Sequence, residues 1–257
     1  MIKIAPWKKR KKMVTSRENK NKAMLNLLTC GSVDDGKSSL IGRMLYESDS
    51  ILLDQLEALE EDSRRFGTLN KKIDFALLLD GLSAEREQGI TIDVAYRYFS
   101  TKKRKFKIAD SPGHIQYTRN MVTAASKSDV ALILLDISKG ILEQTRRHLF
   151  ICNLMDIRDI ILIFNKMDLV NYDKKIFNNL KIKVQEILKK DFSFETVFYI
   201  PISATEGDNI VNKSKKTPWF KGKPLLRYLE QIKIKKESLK KAKFIMPIQF
   251  INRPDST

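Results

Sequence analysis

The sequence predicts an α/β protein in which helices cover a mostly parallel sheet. After residue 23, short apolar runs alternate with stretches whose apolar residues lie three or four positions apart, a pattern typical of β-α-β units. The first apolar run leads directly into Gly-Ser-Val-Asp-Asp-Gly-Lys-Ser at positions 31–38, and a helical pattern follows. This glycine and lysine spacing between a strand and a helix is typical of a phosphate-binding loop, or P-loop.

Apolar runs predict the strands, and amphipathic stretches predict the helices. The predicted strands cover residues 24–29, 92–99, 105–109, 130–136, 159–165 and 196–201. The predicted helices cover residues 37–46, 116–126, 143–155, 175–190 and 225–233. The connection over residues 47–91 is too long for a simple loop, and the spacing of Leu53, Leu56 and Leu59 predicts an inserted helix within it.

The net charge of +17 lies at the two ends of the 257-residue chain. Residues 1–23 carry nine lysines and arginines against one acid, and residues 213–243 carry twelve against two. Residues 24–212 carry 26 basic and 27 acidic side chains, a net charge of −1. We interpret the basic ends as solvated segments and predict no nucleic-acid partner. Contact with RNA or a membrane surface is the alternative for such charge runs.

The charge distribution predicts a basic N-terminal extension (1–23), a main domain (24–243) and a terminal segment (244–257) whose apolar run predicts the first strand of a truncated further domain. No apolar run approaches the roughly 20 residues that a membrane helix needs. The N-terminus lacks the apolar core of a secretory signal. Because Cys30 and Cys152 fit neither a disulfide framework nor a metal site, we expect both to be reduced and buried, in a cytoplasmic protein.

The P-loop residues have the chemistry for binding nucleotide phosphates. Glycines at both ends let successive backbone N–H groups point at phosphate oxygens, and the N-terminus of the following helix adds partial positive charge. Lys37 would reach the β- and γ-phosphates, and the Ser38 hydroxyl would bind Mg²⁺. A strand-to-helix turn without a ligand is the alternative. The predicted contacts are Gly31, Ser32, Val33, Asp34, Asp35, Gly36, Lys37 and Ser38.

A second motif, Asp-Ser-Pro-Gly-His, follows the predicted strand 105–109, at the sheet edge where open α/β sheets bind ligands. Its aspartate could hold Mg²⁺, and the N–H of Gly113 could contact a γ-phosphate. His114 could orient an attacking water molecule, because phosphoryl transfer depends on positioning and electrostatics. A Pro-Gly turn is the alternative for the motif in isolation. The predicted contacts are Asp110, Ser111, Pro112, Gly113 and His114.

Two further motifs indicate the nucleotide base. Asp168 follows a predicted strand, and its carboxylate can accept hydrogen bonds from both N1 and N2 of guanine, whereas adenine would leave the carboxylate unmatched. Asn165 would contact the base or tie neighbouring loops together, and the stem of Lys166 would lie along the base. A backbone N–H at Ser203 or Ala204 could reach guanine O6, although a simple turn is the alternative there. The predicted base contacts are Asn165, Lys166, Met167, Asp168, Ser203 and Ala204.

Thr91, at the end of the long connection, could complete the Mg²⁺ shell only while a γ-phosphate is present, which makes residues 47–91 a candidate switch segment. A β-branched residue that starts a strand is the alternative. His148 is predicted to have a structural or surface role. No arginine stands out as one that stabilises the transition state, so we expect intrinsic hydrolysis of roughly 10⁻⁴ to 10⁻² s⁻¹. The predicted catalytic residues are His114, Lys37 and Thr91, and the predicted Mg²⁺ ligands are Ser38, Thr91 and Asp110.

Longer strings around these motifs carry a more specific resemblance. The strings resemble those of the large, GTP-binding subunits of bacterial sulfate adenylyltransferases, which belong to the translation-factor class of P-loop GTPases. They cover residues 30–43, 54–60, 73–82, 84–97 and 117–121, and the shorter segments 144–148 and 201–204 fit the same family.

The resemblance implies that GTP hydrolysis, with Mg²⁺, is coupled to the formation of adenylyl sulfate from ATP and sulfate in sulfate assimilation and cysteine biosynthesis. It also implies a heteromer with a small subunit that performs the adenylyl transfer. The chain departs from the family at Ser111, where threonine is usual, and in ending at the first strand of the first of two β-barrel domains. A translation-type GTPase acting on ribosome or RNA is the main alternative, and a truncated, inactive remnant is a third possibility.

Overall fold

The computed structural model describes residues 22–48, 50, 51, 53–66, 73–78, 94–233 and 246. The strands in this part of the chain are β1 (Met24–Cys30), β2 (Ala95–Ser100), β3 (Lys105–Asp110), β4 (Val130–Asp136), β5 (Asp159–Asn165) and β6 (Thr196–Pro201). The α-helices are α1 (Lys37–Glu47), α2 (Leu53–Phe66), α3 (Thr118–Ala125), α4 (Glu143–Leu154), α5 (Lys174–Asp191) and α6 (Leu225–Gln231). Short 3₁₀ helices cover Phe75–Leu78, Ile115–Tyr117 and Met167–Val170.

The strands form one sheet in the order β2-β3-β1-β4-β5-β6. All neighbouring strands are parallel except β2 and β3, which pair antiparallel, so the predicted mostly parallel α/β fold is confirmed. The register places Thr29 opposite Asp110, and Asp136 opposite Asn165. The carboxyl ends of β1, β3, β4 and β5 therefore meet at one edge of the sheet.

Two apolar clusters cover the two faces of the sheet. One face packs against α1 and α6, and the other packs against α3, α4 and α5. Successive residues of β4 alternate between the clusters, with Leu132 and Leu134 in the first and Ile133 and Leu135 in the second. Because β4 is buried on both faces, its sequence is an uninterrupted apolar run until Asp136. No helix in the described ranges combines the length and apolar character that crossing a membrane would require.

The predicted element boundaries differ from the structure by small amounts. The inserted helix of the long connection is α2, which packs through Leu56 and Leu59 against Phe75. Helix α3 begins two residues later than predicted, because 115–117 form a 3₁₀ turn. The predicted N-terminal extension and terminal strand fall almost wholly outside the described residues.

Candidate functional site

The P-loop is held in shape by its own carboxylate and by two residues with positive φ. The Asp35 carboxylate accepts a hydrogen bond from the Ser32 N–H at 2.6 Å. Asp34 and Gly36 have φ angles of 66° and 87°, a region that aspartate tolerates and glycine adopts readily. A side chain at Gly36 would put a Cβ 2.3 Å from the amide nitrogen of Asn165. The second glycine is thus required both by its conformation and by a close neighbour.

Lys37 lies inside the loop rather than in solvent. Its ammonium group donates hydrogen bonds to the carbonyl oxygens of Gly31 and Ser32, at 3.0 and 2.9 Å. The side chain is 7% exposed, and this burial lowers the pKa of the ammonium group, while the nearby carboxylates of Asp110 and Asp35 oppose the shift. The first helical residue therefore places a cation at the centre of the predicted phosphate site.

The turn after β3 packs directly onto the P-loop. The Ser111 hydroxyl donates to the carbonyl oxygen of Thr29, and the Thr29 hydroxyl lies 3.3 Å from an Asp110 carboxylate oxygen. Gly113 approaches so closely that a Cβ there would lie 2.6 Å from the Lys37 ammonium nitrogen. Pro112, between these residues, is buried. Ser111, at a position where threonine is usual in the resembling family, thus anchors the turn through its hydroxyl.

His114 lies at the outer end of this turn. Its Nδ1 atom is 3.5 Å from the backbone N–H of Gln116, and its ring lies 6.2 Å from that of Tyr117. The side chain is partly exposed. The structure therefore places His114 beside the predicted γ-phosphate contact at Gly113, with an imidazole that is not enclosed by the core.

Asn165 connects the two loops that flank it. Its amide nitrogen donates to the carbonyl oxygen of Asp35 at 2.8 Å, and its amide oxygen accepts from the Ala204 N–H at 3.0 Å. Of the two roles considered for Asn165, the structure displays the one that ties loops together. The Ala204 N–H, considered above as a donor to guanine, is engaged by this bond, and Ser203 is fully buried beside it.

Lys166 and Asp168 lie in the short helical turn after β5. Lys166 has φ 63°, and its ammonium group pairs with the Asp136 carboxylate at 2.9 Å. Met167 is fully buried. The Oδ1 atom of Asp168 is buried and has no hydrogen-bond partner among the residues that the structure describes. A buried carboxylate oxygen without a donor is costly, so this atom has an unmet hydrogen-bonding requirement that a ligand donor could satisfy.

Sequence reasoning missed Asp136. It is the last residue of β4, opposite Asn165 in the register, and it is 1% exposed. Burial alone would raise the pKa of its carboxyl group, but hydrogen bonds from Ser138 and Lys166 lower the pKa overall. The signal in the sequence was its position, since it follows an apolar strand at the same edge as the recognised motifs.

A second missed feature joins the base-side loops. The hydroxyl group of Tyr172 donates to the carboxylate of Asp208, which also pairs with the ammonium group of Lys216 at 3.1 Å. Burial and the neighbouring Asp208 raise the pKa of Tyr172 to about 12. The carbonyl oxygen of Tyr172 accepts from the indole N–H of Trp219 at 3.1 Å. These bonds connect the loop of Asp168 with the segment that follows Ala204.

Arg43 connects α1 to the inserted segment. One guanidinium nitrogen donates to the Thr205 carbonyl oxygen at 3.2 Å, and the guanidinium carbon lies 5.2 Å from the Phe75 ring centroid. The neighbouring Gly42 permits this approach, since a Cβ there would lie 2.2 Å from the Phe75 carbonyl oxygen. Helix α1 thus contacts three parts of the chain: the P-loop, the segment after Ala204 on the side of the predicted base site, and the inserted segment that contains Phe75.

The remaining predicted site residues have different outcomes. Thr91 lies outside the described residues, as do residues 49, 52, 67–72 and 79–90 of the predicted switch segment 47–91. Of the two roles predicted for His148, the surface role is wrong, because the side chain is only 5% exposed. Burial, and to a smaller extent the charge of Lys37, lowers the pKa of His148 to about 4. Cys30 and Cys152 are free and buried, as expected. Ser38 and Asp110 offer hydroxyl and carboxylate oxygens, the donor types that Mg²⁺ prefers. The described ranges contain no cluster of three or more His, Cys, Asp or Glu side chains that could hold a metal ion.

Asp35 is expected to destabilise the folded protein near neutral pH. Burial raises the pKa of its carboxyl group to about 6, because the ionised form loses hydration and its Oδ1 atom has no partner within the described residues. The penalty is absent below the unfolded pKa of 3.8 and grows as the pH rises through about 6. We expect Asp35→Asn to increase the free energy of unfolding at about pH 7.5, on the order of 2 kcal/mol, and by less at about pH 5.

Denaturant unfolding at the two pH values measures this difference. The matched control is Asp34→Asn, because Asp34 is exposed and asparagine tolerates its positive φ. An equal gain at both pH values, or an equal gain in the control, would contradict the assignment to Asp35 ionisation.

Comparison with known proteins identifies the same fold. Residues 22–235 match the family model of the elongation factor Tu GTP binding domain. The S. cerevisiae Ski7 GTPase-like domain, solved with GDP and inorganic phosphate, aligns with a TM-score of 0.69 and 20% identity, over 81% of this chain and 49% of that one. Sup35 complexed with GMPPNP aligns with a TM-score of 0.58 and 22% identity, over 83% and 46%. At these identities the structural likeness shows the fold alone.

Curated proteins show higher sequence identity. The chain is 57% identical over 239 residues to sulfate adenylyltransferase subunit 1 of Sulfurovum sp. (strain NBC37-1), covering 93% of this chain and 50% of that protein. It is 54% identical over 235 residues to the subunit of the same name in Aeromonas hydrophila, covering 91% and 49%. The chain therefore spans about half the length of the curated relatives it matches.

Proposed function

Because the chain belongs to the family of the elongation factor Tu GTP-binding domain, we propose that it binds GTP with Mg²⁺ and hydrolyses it at the sheet edge described above. The observation that carries the choice of guanine is the buried Oδ1 atom of Asp168 without a hydrogen-bond partner in the described part of the chain. N1–H and the N2 amino group of guanine supply two adjacent donors to such a carboxylate. Adenine offers no equivalent pair, so it would leave the buried charge unmatched.

In the proposed mechanism, the residues of this chain position the phosphates and the attacking water. Lys37 would exchange its two carbonyl contacts for phosphate oxygens, and Gly113 would contact the γ-phosphate through its N–H. The Ser38 hydroxyl and the Asp110 carboxylate would hold Mg²⁺, which supplies charge neutralisation at the β- and γ-phosphates when bound. His114 would orient the water, since no covalent step by the protein is needed.

We assign this GTPase to sulfate activation on the basis of its relatives. Identities of 57% and 54% over more than nine-tenths of the chain support the role of a sulfate adenylyltransferase GTPase subunit. Adenylyl sulfate is a high-energy mixed anhydride, so coupling to GTP hydrolysis gives its formation a chemical driving force. The partner in this proposal is the small subunit that transfers the adenylyl group from ATP to sulfate. A translation-type role is not favoured by these relatives.

Three parts of the proposal concern segments described in part or not at all. Thr91 would complete the Mg²⁺ shell, and residues 47–91 would respond to the γ-phosphate. Residues 24–243 would form the GTP-binding domain, with a basic extension before it and the first strand of a β-barrel after it.

The free thiols of Cys30 and Cys152 support a cytoplasmic location, because reduced cysteines are typical of that compartment.

The direct test is GTP hydrolysis by the chain mixed with a sulfate adenylyltransferase small subunit, with and without ATP plus sulfate. We expect a basal rate of roughly 10⁻⁴ to 10⁻² s⁻¹ for the chain alone, because no transition-state arginine was identified, and an increase when all components are present. A Lys37→Ala chain serves as the inactive control. Failure to bind GTP would contradict the GTPase assignment, whereas binding with a rate that never rises would contradict coupling by this chain.

A further inference from the structure

A basic cleft lies on the face of the molecule formed by α5 and the segment 211–223. Its volume is about 250 Å³, and it is open to solvent. We call it the lysine cleft. It is lined by Lys174, Lys181, Tyr199, Trp219, Phe220 and Lys221, among others. None of these residues takes part in the phosphate or base contacts proposed above, so the cleft is a feature that the GTPase function does not explain.

The surface around the cleft has a strong excess of positive charge. Helix α5 carries six lysines against two acids, and the segment 211–223 carries five lysines and no acid. Lys216 is neutralised by Asp208 and Glu206. The lining lysines form no ion pair with an acidic side chain in the described ranges. The fold thus brings together two basic sequences that are separated along the chain, and it leaves their charge available to an anionic partner.

The walls of the cleft favour a protein segment over a nucleic acid. The Trp219 ring packs against Phe177 at 5.2 Å, and the ammonium group of Lys181 lies over the Tyr199 ring at 5.0 Å. Phe220 lies against Gly222, where a Cβ would be 2.3 Å from its ring. A neighbour lies against each of these rings, which reduces the ring surface available for stacking with a base. A small concavity with an apolar wall and a cationic rim suits one apolar side chain flanked by carboxylates.

The cleft is also connected to the base-side loops. Trp219, which lines the cleft, donates its indole N–H to the carbonyl oxygen of Tyr172, and Tyr172 in turn donates to Asp208. Tyr172 follows the turn that carries Asp168. An occupant that shifts the Trp219 ring would therefore change a hydrogen bond that holds this loop.

We propose that the lysine cleft is a docking site for an acidic segment of a partner protein, and that its occupation changes the rate of nucleotide release. The docking itself is independent of the proposed GTPase function, whereas the effect on nucleotide release rests on that function. Carboxylates of the segment would pair with Lys174, Lys181 and Lys221, and an apolar side chain would enter between Trp219 and Phe220. Binding of the acidic segment would strengthen as the salt concentration falls, because its ion pairs with these lysines would be exposed to solvent.

The test is a fluorescence anisotropy titration of the full chain with a fluorescein-labelled acidic peptide that contains one central phenylalanine. The triple variant Lys174→Glu, Lys181→Glu, Lys221→Glu is expected to weaken binding by about 10-fold or more. The matched control is Lys102→Glu, Lys127→Glu, Lys233→Glu, which makes the same change in net charge at exposed lysines elsewhere. A control that weakens binding equally would overturn the proposal, because general attraction would explain the result.

Two further readouts complete the experiment. Replacing the phenylalanine of the peptide by glycine should weaken binding, and an unchanged affinity would overturn the apolar contact. If a single-stranded RNA of equal charge bound more tightly and displaced the peptide, the partner would be a nucleic acid and the proposal would be wrong. Saturating peptide should change the release rate of fluorescent GDP by about threefold or more, and an unchanged rate would overturn the coupling. Absence of GDP binding would contradict the proposed function but leave the peptide titration intact.

Discussion

Asp168→Asn should lower the affinity for GTP by roughly 100- to 1,000-fold and improve binding of xanthosine triphosphate. In the proposed complex the carboxylate would accept from two donors of guanine, whereas an asparagine amide presents one donor and one acceptor. Guanine would then face an amide N–H with its N2 amino group, and two donors would oppose each other in a buried site. Xanthine has an acceptor oxygen at position 2, which matches the amide. Competition titrations with GTP, XTP and ATP against a fluorescent nucleotide measure the change.

A nearby aspartate provides the control. Asp173 caps α5 by accepting from the N–H groups of Lys175 and Ile176, and asparagine is an equally good capping residue. Asp173→Asn should therefore leave both stability and nucleotide preference unchanged. If Asp168→Asn bound GTP as tightly as the original chain, the buried oxygen would not be the guanine contact.

Gly36→Ala should abolish measurable GTP binding, with a loss of about 100-fold or more, and should also destabilise the fold. Alanine would be strained at φ 87°, and its Cβ would lie 2.3 Å from the Asn165 amide nitrogen. That nitrogen holds the Asp35 carbonyl oxygen at 2.8 Å, so the collision would displace the P-loop from the loop of Asn165. Backbone strain alone is worth roughly 1 to 3 kcal/mol. Nucleotide titration and thermal unfolding measure the two effects.

Gly140→Ala separates strain from collision. Gly140 has φ 75°, but a Cβ there would meet its nearest neighbour, a Leu180 methyl group, at an ordinary 3.7 Å. This variant should lose some stability and keep its GTP affinity. Equal losses of GTP affinity in the two variants would show that the contact with Asn165 is unimportant for nucleotide binding.

The parallel sheet and the recognised motifs could be predicted because each strand is a buried apolar run that ends in polar residues. Strand β4 shows this most clearly, since its predicted and observed bounds coincide at residues 130 and 136. The motif strings also predicted the family: the resemblance to sulfate adenylyltransferase GTP-binding subunits is confirmed by the curated relatives. Local patterns were sufficient here because burial on both faces constrains every position of a central strand.

The contacts between loops could not be predicted in the same way. Asn165 bonds to residues 130 positions before it and 39 after it. Arg43 and Tyr172 have no distinctive local pattern. Asp136 follows an apolar strand, but its pairing with Lys166 depends on the order of strands in the sheet. Periodicity predicts which face of an element is buried, but it does not predict which distant loop lies beside it.

The position of β2 in the sheet has an energetic consequence. This strand follows the long connection directly, and it pairs antiparallel with β3 alone among the described strands. Detaching it would break one ladder of hydrogen bonds, each worth about 0.5 to 1.5 kcal/mol, and would leave β1, β3 and β4 paired around the P-loop. The inserted segment is therefore joined to the sheet at an edge strand, so a rearrangement there can proceed as local unfolding while the nucleotide-binding edge persists.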